Sequence, residues 1–146
     1  MDQIEIRSPK TEEEWEKYDD FRWEILRKPL NIPHVPLKDN LEESSYHFMA
    51  ITSSNEIVAC GRLHMNNDEE AQIRYMGVSE SIRRMGLGTL ILDRLENQAK
   101  VLGANSISLN ARNVALNFYK SLGYKAVGPY QSDTNIPHTK MEKFLT

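Results

Sequence analysis

The sequence predicts an α/β fold in which a mostly antiparallel group of strands leads into a crossover helix. Two strand-like runs, 46–52 and 56–65, flank the turn sequence Ser-Ser-Asn, which is a hairpin signal, and a third run follows at 71–78. The next segment has apolar residues at helical spacing and stops at Gly103, a common helix end. Its apolar positions are Leu87, Leu90, Ile91, Leu95, Ala99 and Leu102.

Shorter patterns complete the predicted order of elements, which is β-α-β-β-β-α-β-α-β-β. An alternating strand at 4–7 is followed by Thr11 and Glu14, whose spacing is that of a capping box at the start of a helix. That helix ends before Pro29, and the proline-containing segment 28–40 is predicted to be a long loop with a short helical turn after it. The remaining predictions are strands at 106–111, 124–128 and 138–145 and a helix at 113–122.

Composition limits the classes of function that are open to this chain. With 146 residues, 40% of them hydrophobic, it is long enough to bury a core, and one domain over residues 1–146 is expected. The net charge of -3 argues against a nucleic-acid binder, because phosphate contacts need clustered positive charge. Cys60 is the only cysteine, which excludes an intramolecular disulfide and a cysteine zinc site. The N-terminus has no signal-peptide pattern and no apolar run could span a bilayer, so we expect a cytoplasmic protein without a membrane partner.

The segment IRRMGLGTLILDRLENQAK, residues 82–100, places two glycines directly before the predicted crossover helix. A strand that leads through glycines into a helix presents unpaired backbone N–H groups at the positive end of the helix dipole, which favours an anion such as phosphate. The pattern is not a dinucleotide fingerprint, because Ile91 stands where a third glycine is needed, and it lacks the Gly-Lys-Ser/Thr ending of a P-loop. It matches R-x-x-G-x-G, from Arg83 to Gly88.

This motif resembles the pyrophosphate loop, Q/R-x-x-G-x-G/A, of the GNAT superfamily of acetyl-CoA-dependent N-acetyltransferases. The resemblance continues through NARNVALNFYKSLGYKAVG, which is similar to the family's fifth strand, fourth helix and sixth strand. IPHTKMEKF is similar to the last strand of a bacterial subgroup that ends in I-P-H-x-x-M, and FRWEILRKPL and ACGRLH also resemble that subgroup. The resemblance therefore covers nearly the whole chain, and it implies the GNAT mixed sheet, splayed between strands four and five.

The resemblance implies which residues hold coenzyme A. Backbone N–H groups from residue 84 to 89 would bind the pyrophosphate, because the glycines lack a Cβ and allow close approach. On the fourth strand, free backbone groups of Met76 and Val78 would pair with pantetheine as an added strand would. Asn113 has two alternative roles, a contact to the coenzyme A arm or a helix N-cap. The loop residues assigned to the cofactor are Arg83, Arg84, Met85, Gly86, Leu87, Gly88 and Thr89.

The resemblance also implies roles in the chemistry. Tyr119 corresponds to a tyrosine that lies beside the thioester sulfur and donates to the departing thiolate, although core packing is the alternative for it. The Met76 N–H is the candidate to hold the thioester carbonyl oxygen. Many family members carry a glutamate base at the position of Gln72, and an amide cannot take a proton. The base is therefore left open among a water held by backbone carbonyls and the side chains of Glu69, Glu70 and His64.

The acceptor is expected to be an amine, either of a small molecule or of a protein or peptide. In this fold the connection after the first helix borders the acceptor cleft, so Arg27, His34 and Arg74 are candidates for reading the acceptor. The histidines lack metal-ligand spacing, so no metal is expected. Cys60 is expected in the core, with a place in the site as the alternative.

The predicted function is transfer of an acetyl group from acetyl-CoA to a primary amine, by direct attack in a ternary complex without a covalent acyl-enzyme. The alternative is a coenzyme A or acyl-CoA sensor or interaction module without turnover. Glutamine at position 72 favours that alternative slightly, whereas the retained tyrosine at position 119 argues against it. The sequence leaves open whether the protein forms a homodimer.

Overall fold

The structure, a computed structural model, describes residues 3–33, 37–80, 86–132 and 134–145. Its strands are β1 (Ile4–Arg7), β2 (Tyr46–Thr52), β3 (Ile57–Met65), β4 (Glu70–Val78), β5 (Ser106–Arg112), β6 (Lys125–Gln131) and β7 (Pro137–Phe144). Its helices are α1 (Glu12–Leu26), α2 (Leu87–Val101) and α3 (Leu116–Ser121), with 3-10 turns at Lys28–Leu30 and Asn113–Ala115. None of the described helices has the length and apolar character needed to cross a membrane.

The predicted α/β order of elements is confirmed, with small differences at the boundaries. The Thr11 hydroxyl accepts from the Glu14 N–H at 3.1 Å and so caps α1. Gly103 follows α2 with a φ of +90°, the left-handed conformation expected after a helix. The helix predicted at 113–122 is instead a 3-10 turn followed by α3. The short helical turn lies at 28–30, at the start of the proline-containing segment rather than after it.

All seven strands form one sheet in the order β1-β2-β3-β4-β5-β7-β6. Among the described strand pairs, β4 and β5 are the parallel pair and the others are antiparallel. The parallel pairing runs from Glu70 opposite Ser106 to Ile73 opposite Leu109 and ends there. The second half of β4 therefore separates from the end of β5, which is the splay that the resemblance implies.

A β-bulge lies in the separated half of β4. Cys60 pairs with Gly77 and Arg62 pairs with Arg74, so one more residue lies on β4 than on β3 between these pairs. Tyr75 is within this bulge and has a φ of +54°, which is unusual for a bulky side chain. The Cys60 thiol donates to the Tyr75 carbonyl at 3.3 Å, and burial raises the pKa of Cys60 to about 12. Cys60 is thus a core residue, as expected.

The helices cover opposite faces of the sheet. On one face α2 packs its buried side chains, including Leu95, against β3, where a Cβ on Gly61 would lie 2.8 Å from a Leu95 methyl carbon. On the other face α1 packs against β3 and β4, where a Cβ on Gly77 would lie 2.8 Å from Ile25. Because both glycines sit under a helix, they let the helices approach the sheet closely, and Gly77 and Ile25 also line the splayed region.

Candidate active site

The splay between β4 and β5 opens a cleft of about 760 Å³. Its walls are the end of α1, the second half of β4, the end of β5, the 3-10 turn before α3 with Tyr119 of α3, and the hairpin of β6 and β7. This volume lies in the range of pockets that bind small molecules and cofactors. The backbone edge of β4 from Arg74 to Gly77 has no partner strand among the described residues on this side. An extended ligand can therefore pair with it.

Tyr119 and Met76 meet in this cleft. The Tyr119 hydroxyl donates to the Met76 thioether sulfur at 3.7 Å, and a thioether is a weak acceptor. Burial raises the pKa of Tyr119 to about 12, so the phenol keeps its proton at neutral pH and is available as a donor. The ring itself packs edge-on against Phe118 and Tyr124. The two alternatives for Tyr119 are thus compatible, because the ring belongs to the packing while the hydroxyl lies beside a cleft residue.

The N-terminus of α2 lies next to the end of β4. Leu90 donates to the Gly86 carbonyl at 3.1 Å, so the three N–H groups before Leu90 are those that a helix leaves without an intrahelical acceptor. Gly86 adopts a φ of +80°, which favours glycine, and a Cβ there would meet nothing within 4 Å. Gly88 has a different reason to be glycine, because its Cβ would lie 3.2 Å from Phe118 and 3.6 Å from Val78.

The other residues assigned to the cofactor have mixed outcomes. Arg83, Arg84 and Met85 lie outside the described residues, as does His34. Asn113 is not a helix N-cap, since Arg112 and Ala115 occupy the N-cap positions of the 3-10 turn and of α3. Its side-chain oxygen instead accepts a hydrogen bond from the Thr139 hydroxyl at 2.7 Å. A contact between Asn113 and coenzyme A stays a prediction.

The side chains expected as candidate bases do not line the cleft. Glu69 is exposed in the turn before β4, and Glu70 begins that strand. His64 is buried on β3, its ring nitrogens have no hydrogen-bond partner among the described residues, and burial lowers its pKa. Gln72 lies in the paired half of β4, where its amide oxygen accepts from Asn66 at 3.0 Å. The position that carries glutamate in many family members therefore lies before the splay in this chain.

His138 lines the cleft, and the sequence reasoning did not assign it a role. Its Nδ1 lies 2.6 Å from the Ile136 carbonyl oxygen. A carbonyl can only accept, so Nδ1 carries the proton and Nε2 of the neutral ring is an acceptor. The register of β7 places His138 opposite Arg112 on β5 and Tyr130 on β6. The available signal was the I-P-H-x-x-M motif, but the motif alone does not say that its histidine reaches the splayed end of β5.

The ring of Tyr75 lies among three guanidinium groups at the wall of the cleft. The central carbons of Arg22, Arg62 and Arg74 lie 5.4, 4.8 and 4.9 Å from the ring centroid. Such cation–π contacts stabilise by about 0.5 to 2 kcal/mol each, depending on how far the cation is desolvated. Together they offset the unfavourable backbone conformation of Tyr75, so the bulge in β4 is held in place.

Three carboxylates neutralise these arginines, and the first of them, Asp19, accepts from Arg22 at 2.7 Å. Asp39 accepts from Arg62 at 2.9 Å and from Arg74 at 3.1 Å, while Glu42 accepts from Arg22 at 2.7 Å and from Arg62 at 3.0 Å. The hydrogen bond from Arg62, against the opposing effect of burial, lowers the pKa of Asp39 to about 2. Arg22 and Arg62 are fully buried, and Arg74 also lines the cleft. This ionic network therefore supports one wall of the candidate site.

The acceptor candidates Arg27 and Arg74 both line the cleft, together with Arg112. Arg27 and Arg112 each donate to the Leu26 carbonyl at 3.2 Å, so both guanidinium groups reach the C-terminal end of α1. The described part of the lining contains no aspartate or glutamate. Nor do the described residues bring together three histidine, cysteine, aspartate or glutamate side chains that could hold a metal ion. Positive charge thus dominates the described walls of the cleft.

Comparisons with known proteins agree with this geometry. A model of the acetyltransferase (GNAT) domain family matches residues 26–145. YjcF of Bacillus subtilis (strain 168), described as an uncharacterised N-acetyltransferase, is 33% identical over 123 residues, which cover 84% of this chain and 86% of the relative.

Solved structures share the fold. The crystal structure of Escherichia coli ElaA superimposes with a TM-score of 0.79 at 21% identity and covers 98% of this chain and 99% of that one. A GNAT family acetyltransferase from Elizabethkingia anophelis with acetyl-CoA bound has a TM-score of 0.70 at 15% identity, over 99% of this chain and 98% of that one.

Proposed function

This chain belongs to the GNAT family of acyl-CoA-dependent N-acetyltransferases, and we propose that it transfers acetyl from acetyl-CoA to a primary amine by direct attack. The observation that carries the proposal is the meeting of Tyr119 and Met76 in the cleft between the splayed strands. It sets a protonated phenol beside the free edge of β4, where a thioester would lie. A protein that only bound coenzyme A would not need a donor at that point.

Coenzyme A would bind along the line from the start of α2 to the splay. The N–H groups of residues 87–89 and the helix dipole favour the pyrophosphate. Pantetheine would then pair with the open edge of β4 near Met76. Phe118 lies against Gly88 and is adjacent to Tyr119. The pyrophosphate and the thioester of the cofactor would therefore lie along the same packed wall.

In the reaction the amine nitrogen attacks the thioester carbon, the C–N bond forms and the C–S bond breaks. The Met76 N–H would stabilise the negative charge that develops on the carbonyl oxygen. Tyr119 would donate a hydrogen bond to the leaving thiolate, and full proton transfer is unfavourable because the phenol pKa of about 12 exceeds the thiol value near 8.5. The buried Cys60 thiol lies outside the cleft lining, which supports a mechanism without an acyl-enzyme. A free, unreactive thiol also fits a cytoplasmic location.

The charge of the cleft favours one class of acceptor. The described lining residues supply three arginines, Arg27, Arg74 and Arg112, of which Arg74 is paired with Asp39 behind the wall, and no carboxylate. A field of one sign attracts substrates of the opposite sign and repels those of its own. We therefore propose an amine that also carries a carboxylate or phosphate, rather than a polycation.

Two linked assays test the two parts of the proposal, which are the coenzyme A-dependent transfer and the charge of the acceptor. Thermal unfolding with coenzyme A, acetyl-CoA, NAD or ATP should show stabilisation by the first two, about 5 to 10 °C at a hundredfold excess over Kd. Free-thiol release is then measured with matched acceptors, glycine against glycinamide and phosphoethanolamine against ethanolamine. Equal Tm shifts from all four nucleotides would reject the coenzyme A site. Coenzyme A binding without thiol release from any amine would favour the sensor alternative, and equal rates within each pair would reject only the acceptor charge.

A further inference from the structure

We propose that His138 is the general base that takes the proton from the attacking amine. This inference rests on the proposed acetyl transfer, because it assigns the base for that reaction. A primary amine is mostly an ammonium ion at neutral pH and cannot attack until it loses a proton. The glutamate that serves many family members is Gln72 here, and it lies in the paired half of β4.

The tautomer of His138 is suited to this role. The Nδ1–H is held by the Ile136 carbonyl at 2.6 Å, so the neutral ring has its lone pair on Nε2. His138 is half-buried at the cleft, and the bond to Ile136, just before β7, orients its ring. A hydrogen bond on one nitrogen that orients the other is how proteins prepare an imidazole for proton transfer.

The other described titratable side chains of the cleft cannot replace it. Arginine has no acceptor nitrogen, and a phenol keeps its proton at neutral pH. In the sheet, the charged and titratable groups directly opposite His138 are Arg112 on β5 and Tyr130 on β6. The remaining ones along the cleft are Arg27 on the α1 side, Arg74 and Tyr75 on β4, and Tyr119 on α3. Among these described side chains, the imidazole of His138 is the one that can accept a proton at neutral pH.

The proton balance closes with these groups. The substrate first loses its ammonium proton to solvent and attacks as the neutral amine. As the C–N bond forms and the C–S bond breaks, a second proton leaves the amine nitrogen for Nε2 of His138, directly or through one water. The leaving thiolate is held by the Tyr119 hydroxyl. An imidazolium is a stronger acid than a thiol, so the same proton can pass through water to the thiolate and leave neutral His138 and free thiol.

The test compares three variants under steady-state conditions. His138→Asn keeps an N–H that can bond to the Ile136 carbonyl but has no basic nitrogen. We expect kcat to fall about 100 to 10,000-fold, the usual contribution of a general base, with coenzyme A affinity unchanged by calorimetry. His138→Ala should recover activity when free imidazole is added. Asp133→Asn is the comparator, because the sequence places this carboxylate between the lining residues Ser132 and Thr134.

The pH dependence of kcat/KM distinguishes a general base from a residue with only a structural role, because the loss of a structural contact would not change the shape of the profile. With a weakly basic amine that stays neutral throughout the titration, kcat/KM of the wild type should fall at acidic pH with a slope of one. His138→Asn should lose this slope. Wild-type activity and an unchanged profile in His138→Asn would overturn the proposal, as would loss of the slope in Asp133→Asn instead. If the wild type binds coenzyme A but acetylates no amine, the proposed function fails and this assignment fails with it.

Discussion

Replacing Tyr119 with phenylalanine removes one hydroxyl from the cleft and leaves the ring in place. The only described partner of that hydroxyl is the Met76 sulfur at 3.7 Å, so the resting protein loses a weak contact. In the reaction the same hydroxyl would face a thiolate, and hydrogen bonds to charged groups contribute about 1.5 to 3 kcal/mol. That free energy corresponds to a fall in kcat of roughly 10 to 150-fold.

The pH dependence of this loss follows from the state of the phenol. Burial raises the pKa of Tyr119 to about 12, so the wild-type hydroxyl stays protonated up to about pH 10. The ratio of wild-type to Tyr119→Phe kcat should therefore be constant between about pH 6 and pH 10. This constancy separates Tyr119 from His138, whose replacement is expected to change the shape of the profile.

The assay follows free-thiol release with the best acceptor, while calorimetry gives coenzyme A affinity. Tyr130→Phe is the matched control, because Tyr130 also lines the cleft but is 42% exposed on β6. It should turn over like the wild type. Wild-type kcat in Tyr119→Phe would refute the reasoning. A loss of coenzyme A affinity equal to the loss of rate would also refute it, because the hydroxyl would then act in binding rather than in the transition state.

Two further predictions concern the support of the site. Asp39→Asn should lower the free energy of unfolding by about 2 kcal/mol at neutral pH, since the Asp39 pKa drops from 3.8 to about 2 on folding. This contribution to stability is present above the unfolded pKa and is lost as pH falls toward the folded pKa. The unfolding free energies of the wild type and Asp39→Asn, measured in urea, should therefore converge below about pH 4. A constant difference between them would contradict the prediction. Gly86→Ala and Gly103→Ala both place a side chain at positive φ in open space and should each cost about 1 kcal/mol. Only Gly86→Ala should weaken coenzyme A binding by calorimetry, and equal affinities in the two variants would show that the start of α2 is not the pyrophosphate site.

Most of the fold could be predicted from local patterns in the sequence. Alternation between 46 and 78, the capping pair Thr11 and Glu14, and the glycine after α2 each act over a few residues, so they can be read without knowing the sheet. The break at Ala115 inside the third helix was not predicted. The apolar spacing there continues smoothly, whereas the backbone changes from a 3-10 turn to α3. Periodicity reports which face is buried and does not distinguish these two helix types.

The parts of the site that could not be predicted depend on register between distant strands. Tyr75 looks like one more residue of an alternating strand, and only its pairing against β3 shows the bulge and the positive φ. His138 reaches the cleft because β7 inserts between β5 and β6, an order that no local pattern specifies. Gly88 matched a loop motif for phosphate, yet its Cβ would also meet Phe118, thirty residues further along the chain. A motif gives one reason for a residue, and packing can add a second.

The sheet also explains why binding and chemistry coincide in one place. A strand edge without a partner is normally covered or blunted, because its backbone donors and acceptors otherwise pair with other chains. Here the edge of β4 from Arg74 to Gly77 has no partner strand in the described part of the chain, and the bulge at Tyr75 is held by arginines that Asp19, Asp39 and Glu42 neutralise. The bulge lies directly beyond the last pair of β4 with β5, so the ionic network supports β4 at the point where the two strands separate. An extended cofactor arm can satisfy such backbone groups, so in the proposed complex the cofactor would complete the sheet next to Tyr119.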